Sequence, residues 1–132
     1  MSERARGLVS AVLALCWAAF IAWASHQPNP FPHLPEAILT HDKLLHAVAF
    51  GVLAGLIRRA LRLAPLPPLR ALLLAWVLSS GWGLLDEFHQ SFIPNRDADP
   101  WDLTADALGA AVGAWLAAVG LRRVGSGASI RA

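Results

Sequence analysis

Three short stretches of the chain carry side chains capable of chemistry: Asp42, Lys43 and His46; then Asp86, Glu87, Gln90 and Arg96; then Asp102 and Asp106. Asp42 and His46 stand four residues apart, one helical turn, which presents a carboxylate and an imidazole from one face as metal ligands on helices often are. With Glu87 they form a candidate divalent-metal set, Asp42, His46 and Glu87, to which Asp102 and Asp106 can add oxygens. Without a metal, His46, Glu87 and Asp106 are the candidates for acid–base catalysis, with Lys43 or Arg96 to stabilise developing charge. A third use is binding: Lys43, Arg96 and two helix N-termini can hold a phosphate. The acids around them oppose entry of a free anion. The chain has no H-E-x-x-H zinc motif and no glycine-rich nucleotide loop, and its single cysteine, Cys16, excludes a disulfide framework.

The elements that must position these groups are apolar. Of 132 residues, 56% are hydrophobic and only 15% charged, against about a quarter charged in soluble domains. Apolar segments cover about residues 7–24, 44–57, 71–85 and 103–121. Each falls slightly short of the roughly 20 residues needed to cross a bilayer core until flanking residues are added, and Arg58, Arg59 and Arg62 are placed to snorkel to a headgroup layer. The expectation is an all-α, four-transmembrane-helix bundle: one domain over 1–124, its motifs within 40–117, and a flexible Gly-Ser tail over 125–132. The bilayer is the first partner. Small residues at Gly51 and Gly55, Ser79 and Gly83, and Ala105, Gly109, Gly113 and Ala117 suit close helix packing. The row through Gly109 and Gly113 equally suits a homo-oligomer.

Charge sets the orientation. Nine of the eleven basic residues flank one side of such a bundle, whereas eight of the nine acids and all five histidines fall on the other. The positive-inside rule then makes both termini cytoplasmic and the acidic end external, in a multi-pass protein of the cell membrane. The basic excess therefore reports membrane orientation and implies no nucleic-acid partner. Ala22-Trp23-Ala24 fits a small-x-small cleavage site, but the apolar run before it is longer than a usual signal sequence, so the first helix is expected to be retained.

At 100° per residue, Asp42, His46, Ala49 and Leu53 share one face. Trp76, Ser80, Gly83, Glu87 and Gln90 share another, with Asp86 off that stripe and His89 nearly opposite. Asp102, Asp106, Gly109, Gly113 and Ala117 share a third, in a helix started by Asp99 and Pro100. Asp42, His46, Glu87, Gln90, Asp102 and Asp106 thus converge at one end of the bundle. Ionisable groups at such depth mark a functional site by default. The plainer alternative keeps Asp42 and Asp102 as helix-dipole partners and Arg96 as a loop staple.

The ordered set Asp42-Lys43-Leu-Leu-His46, then Glu87-Phe-His-Gln90-Ser-Phe-Ile-Pro94-Asn-Arg96, then Asp102 and Asp106 with Gly109, resembles the VanZ-like family of small integral membrane proteins over about residues 40–117. Asn95 stands where relatives usually carry Gly, and Asp106 where many carry Asn. The resemblance implies a cell-envelope protein of the teicoplanin-resistance type. Asp42, Lys43, His46, Glu87, Gln90, Arg96, Asp102 and Asp106 would then line an outward pocket that binds or modulates an envelope lipid, a lipid-linked precursor or a glycopeptide-related ligand, with a role in antibiotic resistance. The alternative is a membrane-embedded hydrolase or transferase acting on an envelope lipid, with a divalent metal as its cofactor.

Overall fold

The computed structural model describes residues 1–28, 33, 35, 41–94 and 98–129, with side chains as far as 121. Among them are four long helices and no strand: α1 (Glu3–His26), α2 (Asp42–Ala60), α3 (Pro68–Gln90) and α4 (Pro100–Ser129), with one 3-10 turn, Leu61–Leu63, prolonging α2. All four are long and apolar enough to cross a membrane.

Each start has a local cause. Ser2 Oγ accepts the Ala5 N–H at 3.2 Å. Pro68 and Pro100 take the first helical position, where a missing N–H leaves nothing unsatisfied. The Asp99 carboxylate accepts the Trp101 N–H at 2.9 Å. The helices run past the apolar segments into polar flanks, so the candidate spans measure 22 to 24 residues. At about 1.5 Å per residue that covers a hydrocarbon core of about 30 Å. The backbone of α4 stays helical to Ser129, into the stretch whose Gly-Ser composition predicts a loose tail.

α1 and α3 run in one direction, α2 and α4 in the other. At the arginine-rich end, Gly7 lies against Leu63 and Glu3 pairs with Arg62 at 2.9 Å. At the acidic end, Ser25 meets Asp86 and Lys43 meets Asp99 and Asp102. Between the ends the core is built largely of small side chains. Ala14, Ile21, Phe50 and Leu53 join α1 to α2, and Ala54, Ala75, Ala110 and Ala114 join α2, α3 and α4. The large side chains Leu44, Val48, Leu84, Phe88, Leu108 and Val112 face outward. Lipid dissolves such side chains, so large residues outside and small ones inside is the arrangement a bilayer favours.

The closest approach is between the parallel helices α2 and α4. A Cβ on Gly109 would lie 2.0 Å from the Ala47 carbonyl oxygen, and one on Gly113 would lie 1.9 Å from that of Gly51. These glycines are thus used within the chain. Side chains tie the other pairs: Trp17 Nε1 donates to the Ala49 carbonyl at 2.8 Å, Ser79 Oγ to that of Phe50 at 2.9 Å, and Trp76 Nε1 to that of Ala107 at 3.0 Å.

The inward face of α3 differs from the expected stripe. It comprises Ala71, Ala75, Ser79, Gly83, Asp86, Glu87 and Gln90, so Ser79 replaces Ser80 and Asp86 turns inside. Ala75 packs with the alanines of α2 and α4 and Ser79 bonds the Phe50 carbonyl of α2, while Trp76 stays at the edge and reaches across to α4.

Candidate functional site

Three neighbouring groups of polar side chains occupy the acidic end. At the rim, Lys43 Nζ reaches Asp42 Oδ2 at 3.3 Å, Asp99 Oδ2 at 2.5 Å and Asp102 Oδ1. The lysine follows Asp42 at the first turn of α2, and Asp99 and Asp102 bracket the start of α4. One ammonium therefore fastens two helix starts together. The hydrogen bond from Lys43 holds the Asp99 carboxyl below its ordinary range, and the Trp101 N–H adds to the effect. Lys43 is engaged with three carboxylates and is not free to receive a phosphate.

One turn deeper lie His46, Glu87 and Asp106, from α2, α3 and α4 respectively. With its proton on Nδ1, His46 donates to Asp106 Oδ1 at 2.9 Å. Its Nε2 lies 3.7 Å from Asp102 Oδ2, which links this group to the rim. The Phe50 ring lies nearly parallel to the imidazole one turn along α2, their centroids 6.4 Å apart. Glu87 Oε2 accepts the Asp99 backbone N–H at 2.8 Å, so the connection before α4 is tied to α3 as well. Asp106 is wholly buried and Glu87 is 5% exposed. Each keeps one oxygen, Asp106 Oδ2 and Glu87 Oε1, buried and without a hydrogen-bond partner among the described residues. Gly83 makes room for Asp106, since a Cβ there would lie 2.7 Å from Oδ2. One ligand-type atom from each of His46, Glu87 and Asp106 lies within 4.8 Å of the others.

The third group joins α1 to α3. Ser25 Oγ donates to Asp86 Oδ2 at 2.7 Å, and Gln90 Nε2 donates to the same oxygen at 2.9 Å. Beside it, His26 and His89 stack with Nδ1 and Nε2 3.2 Å apart.

Of the residues singled out in the sequence, the structure gathers His46, Glu87 and Asp106 at the centre and Asp42, Lys43 and Asp102 at the rim. Gln90 sits in the adjoining α1–α3 network. In the candidate metal set Asp42 gives way to Asp106, because Asp42 is exposed and pairs with Lys43. Arg96 lies outside the described residues. Sequence reasoning left Asp86 off the inward stripe and missed Ser25 and the Glu87–Asp99 bond. Asp86 carried a signal, for it stands one turn before Gln90. Ser25 carried little beyond being a hydroxyl near the end of an apolar run.

The arrangement supports two kinds of chemistry. The carboxylate oxygens suit a cation or a headgroup rich in donors, while His46 Nε2, backed by Asp106 through Nδ1, is a base in the form that proton transfer uses.

An apolar groove begins beside this site. It has a volume of about 730 Å³ and follows the α2–α4 seam from Ala47, Val48 and Leu108 to Arg59 and Ala117.

Among known protein families, the one described as VanZ/LLP1 matches residues 10–121 of the chain. No curated protein and no solved structure matches it.

Proposed function

The chain belongs to the VanZ/LLP1 family, and on that footing we propose that its acidic end binds the headgroup of a cell-envelope lipid, with the lipid's acyl chain in the α2–α4 groove. The observation that carries this reading is the pair of buried carboxylates, Glu87 and Asp106, each with an unpartnered oxygen, next to a groove that opens on the apolar face. A buried carboxylate oxygen without a partner is costly, and a ligand offering hydroxyl or amine donors, or a bound cation, relieves that cost. Lys43 is neutralised by its three partners, so a free phosphate finds no cation there among the described residues.

In the proposed orientation the arginine-rich end and both termini face the cytosol. The site then faces the external leaflet, where lipid-linked precursors and a lipid-tailed glycopeptide act, and protection against such an antibiotic follows from competition for the same lipid. The test is the lipid inventory of the detergent-purified protein by native mass spectrometry. Wild type should retain one defined envelope lipid. Glu87→Gln should lose it through the headgroup, and Val112→Trp, which fills the groove without touching the polar cluster, should lose it through the tail. Identical inventories in all three proteins would refute the assignment.

The His46–Asp106 hydrogen bond favours a second reading, a hydrolase or transferase acting on the same lipid with His46 as general base. Release of a labelled headgroup by wild type and its loss in His46→Gln would select this reading over binding alone.

A further inference from the structure

We infer that His46, Glu87 and Asp106 form a site for one divalent first-row transition-metal ion, deep to the Lys43 clamp. The ion stands independently of the lipid proposal; only the identity of whatever fills its open positions rests on that reading.

Four observations lead there. First, the three side chains come from three different helices, and one donor atom of each lies within 4.8 Å of the others. Second, Asp106 and Glu87 are nine-tenths or more buried, and each holds an oxygen with no partner among the described residues. Third, the charges balance. Two carboxylates and one neutral imidazole need two positive charges to become neutral in a low-dielectric bundle, and Lys43 is engaged elsewhere. Fourth, the spacing fits. His46 Nδ1 and Asp106 Oδ1 are 2.9 Å apart. Two donors each about 2.0–2.1 Å from one tetrahedral ion stand about 3.3–3.4 Å apart, so the pair needs to open by only about half an ångström to share an ion. Binding displaces the proton they share, as metal binding to histidine generally does.

The donor set selects the class of ion. One imidazole with two carboxylates and no sulfur suits Zn²⁺, Mn²⁺ or Fe²⁺. Cu⁺ prefers thiolate or thioether, and Mg²⁺ is held by oxygen alone. Three protein donors leave positions open to an external oxygen, such as a phosphate or hydroxyl group of a headgroup. An ion there would let an acidic pocket receive an anion that its own charges repel.

The test uses the full chain in detergent, loaded with Zn²⁺ and desalted before elemental analysis. One equivalent per chain is expected. His46→Gln, Glu87→Gln and Asp106→Asn should each weaken Zn²⁺ binding at least about tenfold, the lower end of what even outer-shell changes cost. Asp42→Asn, at the rim, and His89→Gln, in the stacked pair, should leave it intact. X-ray absorption on the loaded wild type, which needs no variant to fold, should show one imidazole in a shell of oxygens. Binding well below one equivalent, an ion that survives all three central substitutions but leaves with His89→Gln, or a shell with two imidazoles would overturn the site. Lipid retention measured on the same samples separates the two proposals. Lipid kept without Zn²⁺ refutes the ion alone, and Zn²⁺ kept without lipid refutes the headgroup reading alone.

Discussion

A methyl group on Gly109 would place its carbon 2.0 Å from the Ala47 carbonyl oxygen and 2.6 Å from both the carbonyl carbon and Cα of that residue. All three are backbone atoms of the facing helix, so no side-chain rotation relieves the clash. To reach an ordinary contact of about 3.4 Å, α2 and α4 must separate by more than about 1 Å along their seam. Overpacking a well-filled interior costs about 1–3 kcal/mol and occasionally more. Against a rigid backbone wall Gly109→Ala belongs at the top of that range, about 3 kcal/mol. That is about a hundredfold in the folded-to-unfolded ratio. Gly81 supplies the matched control, because a Cβ there meets nothing within 4 Å. Gly81→Ala gains helix propensity and should be neutral or slightly stabilising. The assay is denaturant or thermal unfolding of both variants in the same detergent, followed by tryptophan fluorescence. Separation of the helices also pulls His46 from Asp106, now 2.9 Å apart, so Gly109→Ala should weaken ligand or ion binding at the central cluster even in the fraction that stays folded. Equal stability of Gly109→Ala and Gly81→Ala would refute the α2–α4 contact on which the site depends.

Two further outcomes follow from the polar contacts. Ser25→Ala removes a 2.7 Å donor from the buried Asp86 carboxylate and should destabilise the α1–α3 end by about 1–3 kcal/mol, the penalty of an under-satisfied buried group; an unfolding midpoint equal to wild type would count against that contact. Asp99 has its pKa depressed by Lys43, so its contribution to stability is complete above its unfolded value of about 3.9 and is lost as pH falls through the lower folded value. The stability gap between wild type and Asp99→Asn, measured by thermal unfolding from pH 6 to pH 2, should therefore be constant near neutrality and close only in the acid range. A gap that persists unchanged to pH 2 would show that the Lys43–Asp99 pair contributes nothing.

Membrane-spanning helices were legible because lipid imposes a one-dimensional rule. A segment of some 20 residues crossing lipid must satisfy its backbone internally, and four apolar runs came close to that length once their flanking residues were added. The start at Pro100 was legible for an equally local reason, the missing proline N–H, whereas Pro68, read with Pro65 and Pro67 as part of a turn, proved to be the first residue of α3. Helical periodicity also aligned Asp42 with His46 and Asp102 with Asp106, since a residue's neighbours one turn away depend only on its own helix. It did not give the rotation of α3. Whether Ser79 or Ser80, and whether Asp86, turns inward depends on how closely α2 and α4 approach, and that distance is set by glycines on helices elsewhere in the chain.

Spacing along the chain alone was enough to put His46, Glu87 and Asp106 at one end of a bundle, because each lies near the same end of its own helix. Their division into separate tasks came from contacts between helices. Lys43 bridges α2 to α4 and closes the rim, Gln90 turns to Asp86 and α1, and Asp106 supplants Asp42 beside Glu87. Such assignments depend on distances of a few ångströms between residues some 60 positions apart, and only packing in three dimensions decides them.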